Sequence, residues 1–271
     1  ILIDGVRELG RAIDAGVKLL EVFVCPPLCE SAEARRLLAR LPGSGAEILE
    51  VTEPVFGKLA FGDRAEGVSG VAAMPRPTLS ELTLPQVPLV AVLEGVEKPG
   101  NLGAVLRSAD AAGVSALVVA DGRPDLYNPS AIRASLGTIF TLPVCAATAA
   151  ETLAWLRRQD FAIFAARVDG SRLYTKVDFR RPSAIVLGSE AAGVTAAWSG
   201  PDITPIRLPM LGAADSLNVS AAAAVLFYEA RRQRGACSRC WPMSASTSRR
   251  ASCWPKWTRL IWSSGWRPWR L

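Results

Sequence analysis

The feature that most constrains the fold of this chain is an alternation, from residue 89 onward, of apolar runs, glycine-containing turns and amphipathic stretches. Runs such as "LVAVLEGV", "SALVVADG" and "SAIVLGSE" are almost continuously apolar, as strands buried on both faces of a parallel sheet are. Between them lie stretches with helical spacing, among them "NLGAVLRSADAAG", "NPSAIRASLGTIF" and "SLNVSAAAAVLFYEARRQR". Strands that alternate with helices predict an α/β fold built on a mostly parallel sheet.

The residues before this region predict a second, smaller α/β domain. A helix over about residues 4–16 precedes the strand-like segments "LLEVFVC", "AEILEV" and "GVSGVAAM", with helical segments between them. The stretch "PRPTLSELTLPQVP" follows and is rich in proline, which is typical of a linker. We therefore predict a small domain over 1–73, a linker over 74–88 and a larger domain over 89–234.

The net charge of +6 comes from the end of the chain. Seven of the 31 Lys and Arg residues and none of the 25 Asp and Glu residues lie in 235–271, so residues 1–234 carry a net charge of −1. A high isoelectric point is therefore no argument that the body binds nucleic acid. Residues 235–271 show no sustained period, and we expect a poorly ordered tail. It is either a basic, aromatic arm that grips RNA or the translation of a frame-shifted, GC-rich gene segment.

The cysteine and histidine content argues against a metal site. The chain has six cysteines and no histidine, and the C-x-x-C pair formed by Cys237 and Cys240 lacks two of the four ligands of a structural zinc site. No apolar run reaches the ~18 residues of a membrane span, and no secretion signal is present. We expect a cytoplasmic protein with no metal and no membrane partner.

Three stretches leave predicted strands at their carboxyl ends, where open parallel sheets bind ligands. They are "EKPGNLGAVLRSA", "LGSEAAG" and "LPMLGAADSLNVSAA". Their glycines allow close approach of the backbone to a ligand, and they add one guanidinium and a few carboxylate, amide and hydroxyl groups. They contain no phosphate-binding GKS or GKT, and their glycines do not fit G-x-G-x-x-G. This set of groups suits the binding of an uncharged ring system and a reaction that depends mainly on the placement of the reactants.

These stretches resemble the motifs of the SpoU (TrmH-like) branch of the SPOUT RNA methyltransferases. The first is similar to the family's N-x-G-x-x-x-R, the second to L-G-x-E-x-x-G, and the third to I-P-M…S-L-N-V-S, with Leu208 in place of the commoner isoleucine. The resemblance covers residues 89–234. Residues 1–73 resemble the ribosomal-protein-like, RNA substrate-binding domain often attached to this branch. Because the start of that domain is missing here, we expect an N-terminal truncation.

The resemblance implies a ribose 2′-O-methyltransferase that uses S-adenosylmethionine, most of all on 23S ribosomal RNA. It implies a deep trefoil knot at the C-terminal end of the domain and a homodimer, in which Arg107 of one subunit lies near the cofactor of the other. The residues that match the family's catalytic positions are Arg107, Asn101, Glu190, Ser216 and Asn218, and those that match cofactor-binding positions are Gly188, Leu208, Pro209, Met210 and Leu217. Asn128 and Arg133 are candidates for a second RNA-binding surface.

Several alternatives stay open. Asn101 and Ser216 could serve only as helix N-caps, and Glu190 could be a solvated carboxylate or could pair with Arg107 or the cofactor. The substrate could be a transfer RNA, and the protein could be an RNA-binding module without activity. A dinucleotide-binding Rossmann enzyme is disfavoured by the glycine spacing.

Overall fold

The computed structural model of the protein describes residues 1–62, 66–122, 125–190 and 192–235. Residues 1–234 form one compact unit that contains two β-sheets. The predictions made for residues 236–271, including the C-x-x-C pair, lie outside the described residues. Among the described residues, no helix has both the length and the apolar character that a membrane crossing requires.

The smaller sheet occupies the N-terminal part of the chain and has four strands in the order β1-β4-β2-β3. Strand β4 runs antiparallel to both of its neighbours, whereas β3 pairs with β2 in parallel. The elements are β1 (Leu2–Asp4), α1 (Val6–Asp14), β2 (Leu19–Val24), α2 (Ala32–Arg40), β3 (Glu47–Glu50), α3 (Glu53–Leu59) and β4 (Val68–Ala72).

The larger sheet has seven strands in the order β7-β6-β5-β10-β8-β11-β9, and every neighbouring pair is parallel. The prediction of a mostly parallel α/β fold is therefore confirmed. The elements are β5 (Leu89–Glu94), α4 (Pro99–Ala112), β6 (Ala116–Ala120), α5 (Pro129–Ala134), β7 (Val144–Ala147), α6 (Ala149–Arg158), β8 (Ala162–Ala166), β9 (Arg172–Leu173), β10 (Ser183–Leu187), β11 (Ile203–Arg207) and α7 (Val219–Gln233). The trefoil knot stays a prediction.

Strand β5 shows why these strands read as continuous apolar runs. Its side chains alternate between two buried clusters. Leu89, Ala91 and Leu93 join the cluster that includes α4, α5 and α7, whereas Val90 and Val92 join the one that includes α6. Because helices cover both faces of the sheet, every residue of the strand is buried, including its last residue, Glu94. This is the layering expected for an all-parallel sheet.

The cores of the two sheets are continuous. Ile3 and Leu9 of the small domain belong to the same buried cluster as Leu102 of α4 and Ile132 of α5. At this junction the Arg11 guanidinium donates a hydrogen bond of 2.8 Å to the carbonyl oxygen of Leu136. The small domain therefore packs directly on the α4–α5 face of the larger one.

The prediction of a single helix over residues 128–140 is wrong. Helix α5 ends at Ala134, because Leu136 and Gly137 adopt left-handed backbone conformations with φ of 55° and 80°. A single 3₁₀ turn, Thr138–Phe140, follows. The left-handed pair closes the helix as a C-terminal cap does, and it presents the Leu136 carbonyl to Arg11.

Gly103 allows α4 to approach α5 closely. A Cβ atom at this position would lie 2.5 Å from Ala134 Cβ and 2.7 Å from the Ala131 carbonyl oxygen. We expect Gly103→Ala to lower the free energy of unfolding by about 1–3 kcal/mol, as overpacking does, and thermal unfolding will measure it. Gly100→Ala in the same helix is the matched control, because nothing lies within 4 Å of its Cβ position. A Gly103→Ala variant as stable as that control would contradict this packing.

Candidate active site

The three motif stretches meet because of the order of the strands. Strands β5 and β10 are neighbours at the centre of the large sheet, although 88 residues separate their last and first residues in the chain. After β5 the chain continues through α4 to β6 and β7, which lie on one side of β5 in the sheet. Strand β10 lies on the other side of β5 and is followed outward by β8, β11 and β9. Such a reversal of strand order opens a crevice beyond the carboxyl ends of the strands. The loops after β5, β10 and β11 all leave the sheet at this end.

The carboxylate of Glu190 joins the three motif stretches. Its Oε1 accepts hydrogen bonds from Asn101 Nδ2, at 2.9 Å, and from Asn218 Nδ2. Its Oε2 lies 3.2 Å from Lys98 Nζ. Asn218 Nδ2 is also 3.4 Å from Asn101 Oδ1. All of these partners present hydrogen-bond donors to the acceptor oxygens of Glu190.

These contacts bear on the roles considered for Asn101 and Glu190, which stay predictions. Glu190 is an exposed loop carboxylate, but its oxygens contact Lys98, Asn101 and Asn218 and not the Arg107 of the described chain. Asn101 lies inside the first turn of α4, whose N-cap is Lys98, and its side chain is directed to Glu190. The helix begins two residues earlier than the sequence predicted, since Pro99 is well suited to a first helical position.

Asn218, and not Ser216, is the N-cap of α7. Its Oδ1 accepts a hydrogen bond of 2.9 Å from the backbone N–H of Ser220, while its Nδ2 donates to Glu190. One side chain therefore both starts the last helix and fixes that helix relative to the loop after β10. Ser216 is exposed in the preceding loop and lies in the wall of the cleft described next.

A cleft of about 840 Å³ opens beside this cluster, within the usual size range of small-molecule sites. Its wall combines residues from the ends of β8, β10 and β11 with the start of α7. All five residues predicted to bind the cofactor lie in this wall, and so do two of the predicted catalytic residues: Gly188, Leu208, Pro209, Met210, Leu217, Glu190 and Ser216. Arg107, Asn101 and Asn218 are not part of the wall of this cleft.

The loop after β10 is folded so tightly that it needs glycine at position 188. A Cβ atom there would lie 2.0 Å from the backbone of Gly193, on the returning arm of the loop. Gly193 donates its N–H to the Ser189 carbonyl at 2.9 Å, which closes the loop. The backbone of this loop therefore forms one wall of the cleft without intervening side-chain bulk.

No motif predicted a role for Glu94, which the structure shows to be a buried anchor of the same loop. It is 3 % exposed, and its two carboxylate oxygens accept hydrogen bonds from the N–H and the hydroxyl of Thr195, at 2.7 and 2.6 Å. The signal in the sequence was a carboxylate at the end of an otherwise apolar strand. Lys98 was likewise not predicted, although it directly precedes the helix that carries Asn101.

Arg107 lies on the exposed side of α4, one turn after Gly103. It makes no hydrogen bond or ion pair with the rest of the described chain. Exposed residues of α7, the helix that packs against α4, include Ala221, Val225 and Tyr228. The predicted catalytic guanidinium and an apolar helix surface thus both face away from the core.

The two residues predicted to bind RNA are engaged within the chain. Asn128 caps α5 by accepting a hydrogen bond of 2.9 Å from the Ser130 N–H. The Arg133 guanidinium donates to the Phe61 carbonyl and lies 4.0 Å from Asp4 Oδ2. Burial raises the pKa of Asp4 above its usual value, and the nearby Arg133 opposes that rise. Their assignment to RNA binding stays a prediction.

Comparison with known proteins identifies the family. The SpoU rRNA Methylase family matches residues 88–228, and the MRM3-like substrate binding domain matches residues 1–70. The chain belongs to the SpoU rRNA methylase family. This confirms the resemblance drawn from the three motifs.

Relatives of this SpoU protein extend over both domains. The chain is 30% identical to the 23S rRNA (uridine(2479)-2′-O)-methyltransferase of Streptomyces viridochromogenes, over 86% of this chain and 83% of that protein. A crystal structure of an RNA 2′-O ribose methyltransferase is similar with a TM-score of 0.75 and 43% identity, covering 86% of this chain and 88% of that one. The SpoU methyltransferase AviRb of S. viridochromogenes, in complex with AdoMet, has a TM-score of 0.78 and 28% identity, covering 86% and 90%.

Proposed function

We propose that this SpoU protein transfers the methyl group of S-adenosylmethionine to a ribose 2′-hydroxyl of 23S ribosomal RNA. The observation that carries the proposal is the meeting of all three family motifs, at Glu190, beside a cleft of suitable size. A relative that spans both domains is a 23S rRNA 2′-O-methyltransferase, which favours ribosomal over transfer RNA. Such an enzyme acts where ribosomes are assembled, so a cytoplasmic location belongs to the same proposal.

The cleft has the chemistry that S-adenosylmethionine requires. Leu208, Met210 and Leu217 give it an apolar part for an uncharged ring, and the backbone at Gly188 gives it hydrogen-bonding groups. Arg207 and Asp215 add charges of both signs for the two charged ends of a methionine group. When bound, the cofactor supplies a methyl group on a sulfonium, which is already activated for transfer to a nucleophile.

The residues of the chain then have to place the ribose and assist loss of the proton from its 2′-hydroxyl. Asn101, Asn218 and Lys98 hold Glu190 in one orientation at the edge of the cleft. Since arginine keeps its proton in proteins, Arg107 acts by stabilising the alkoxide that develops on the 2′-oxygen, or by placing a neighbouring phosphate that takes the proton. Orientation of two bound reactants can itself contribute up to about 7–11 kcal/mol.

We include a homodimer in this proposal. Arg107 is exposed and lies outside the cleft wall of its own chain, so we assign to each cleft the Arg107 of a second copy. The exposed apolar side chains on α7, Ala221, Val225 and Tyr228, suit the self-complementary interface of a two-fold dimer. Light scattering of the purified protein will give the mass of the particle in solution.

Two measurements test the proposed function. Isothermal titration should show binding of S-adenosylmethionine and no binding of NAD, which separates a methyltransferase from a dinucleotide enzyme. Methyl transfer from labelled cofactor to purified 23S rRNA, 16S rRNA and transfer RNA should label the 23S molecule. Cofactor binding without transfer to any of these RNAs would instead indicate an RNA-binding module without activity.

A further inference from the structure

Glu94 and Thr195 connect the strand that leads into the first motif with the loop that contains the second. Glu94 is the last residue of β5, and Thr195 directly follows the loop over residues 188–194. Thr195 also caps the single 3₁₀ turn Ala196–Trp198, whose Trp198 is 1 % exposed. One end of the link is therefore held by a central strand and the other by a buried aromatic side chain.

The link between these residues uses both oxygens of a buried carboxylate. Thr195 donates its backbone N–H to Glu94 Oε2 and its hydroxyl to Oε1, at 2.7 and 2.6 Å. Hydrogen bonds to a carboxylate are stronger than those between neutral groups, and a buried carboxylate without such donors is costly. The pair thus holds two segments that lie 101 residues apart in the chain.

The described residues of the loop over 188–194, which are 188–190 and 192–194, are attached to the rest of the fold at both ends. The loop leaves β10 at one end, is fixed by Thr195 at the other, and is closed internally by the hydrogen bond from Gly193 to Ser189. It carries Glu190 and contributes the backbone of Gly188 and Gly193 to the cleft wall. Release of the Thr195 end would therefore move both the cleft wall and the carboxylate that Asn101 and Asn218 contact.

We propose that Glu94 is a positioning residue for methyl transfer, acting through Thr195 to fix the loop over residues 188–194 in the form that binds the cofactor. The inference rests on the proposed function, because it assigns the cleft to S-adenosylmethionine. Its test uses cofactor affinity and backbone exchange, which can both be measured without RNA.

The central experiment compares three valine or serine substitutions by titration with S-adenosylmethionine alone. Thr195→Val keeps the side-chain shape but removes the hydroxyl donor, and we expect its Kd to rise roughly tenfold, as for the loss of a hydrogen bond to a charged group. Thr195→Ser keeps the donor and should stay within about twofold of the wild type. Thr148→Val is the control, because Thr148 also donates its N–H and hydroxyl to a carboxylate, in this case both to Oε2 of the exposed Glu151. Thr148 caps α6, next to the edge strand β7.

Hydrogen exchange of the protein without cofactor gives a second readout. The amides of Gly193 and Thr195 should exchange faster in Thr195→Val and in Glu94→Gln than in the wild type, while the amides of α6 should not change. A double variant that combines Thr195→Val with Glu94→Gln should bind the cofactor no more weakly than the single variant with the lower affinity. The reason is that both substitutions break the same link.

Several results would overturn the inference. Unchanged cofactor affinity and unchanged loop exchange in Thr195→Val would show that the link does not position the loop. Additive losses in the double variant would show that Glu94 and Thr195 act separately. If Thr195→Val does not fold, normal cofactor binding by a Glu94→Gln variant would contradict the inference in the same way. Absence of cofactor binding by the wild type would instead contradict the proposed function.

Discussion

Arg107→Ala is expected to lower the rate of methyl transfer by about a hundred- to a thousandfold, the range seen when a donor that stabilises a developing oxyanion is removed. The Kd for S-adenosylmethionine should stay within about twofold of the wild type, because the role proposed for Arg107 is on the ribose oxygen or its neighbouring phosphate and not in holding the cofactor. Single-turnover transfer to 23S rRNA and titration with the cofactor measure the two effects separately.

A matched control for this variant is Arg158→Ala, an exposed arginine at the end of α6. Arg158→Ala should change neither the rate of methyl transfer nor the Kd for the cofactor by more than about twofold, since isolated exposed charges contribute little interaction energy. Arg107→Lys should recover part of the rate, because it keeps the charge but loses the planar fork. If Arg107→Ala kept its rate but lost cofactor affinity, the catalytic role given to this residue would be misassigned.

Leu217→Arg is expected to weaken binding of S-adenosylmethionine by about a hundredfold or more, because it places a long charged side chain in the wall of the cleft. Leu217 is 42% exposed, so the arginine should not prevent folding. Leu211→Arg in the same loop is the matched control, since Leu211 is 98% exposed and is not part of the cleft wall. Titration should show normal affinity for that control. Equal affinity of all three proteins would place the cofactor elsewhere.

The two inactive variants together test whether Arg107 acts across a dimer. In a mixed dimer, the Leu217→Arg subunit would supply its Arg107 to the open cleft of the Arg107→Ala subunit. If subunits mix at random, about a quarter of wild-type activity should return, because half of the dimers are mixed and each has one working site. No recovery in a mixture shown to exchange subunits would mean that Arg107 serves the cleft of its own chain.

The central part of this fold could be predicted from the sequence, because strands buried on both faces have to be apolar throughout. Strand β5 and helix α7 follow from such patterns. The edge strands β7 and β9 were not predicted: they have four and two residues, too few for a pattern to emerge. The break at Leu136 was not predicted either, since it depends on a left-handed leucine whose carbonyl contacts Arg11 in another domain.

The site could be predicted in its composition but not in its contacts. The family motifs identified Asn101, Glu190 and Asn218, yet their mutual hydrogen bonds depend on where α4 and α7 place the two amides. The link between Glu94 and Thr195 joins the end of β5 to the segment after the loop of β10, and these two strands are neighbours only in the folded sheet. Local sequence patterns carry no information about such long-range pairs. The one indication in the sequence was the carboxylate of Glu94 at the end of an otherwise apolar strand.

The chemical position of the transferred methyl group tests the central claim most directly. After incubation of 23S rRNA with the enzyme and methyl-labelled S-adenosylmethionine, the RNA is hydrolysed in alkali, which requires a free 2′-hydroxyl next to each cleaved phosphate. Methylation of a ribose 2′-oxygen predicts that the label appears in alkali-resistant dinucleotides, and that Arg107→Ala slows its appearance by the factor given above. Label recovered in single nucleotides, and therefore on a base, would contradict the account.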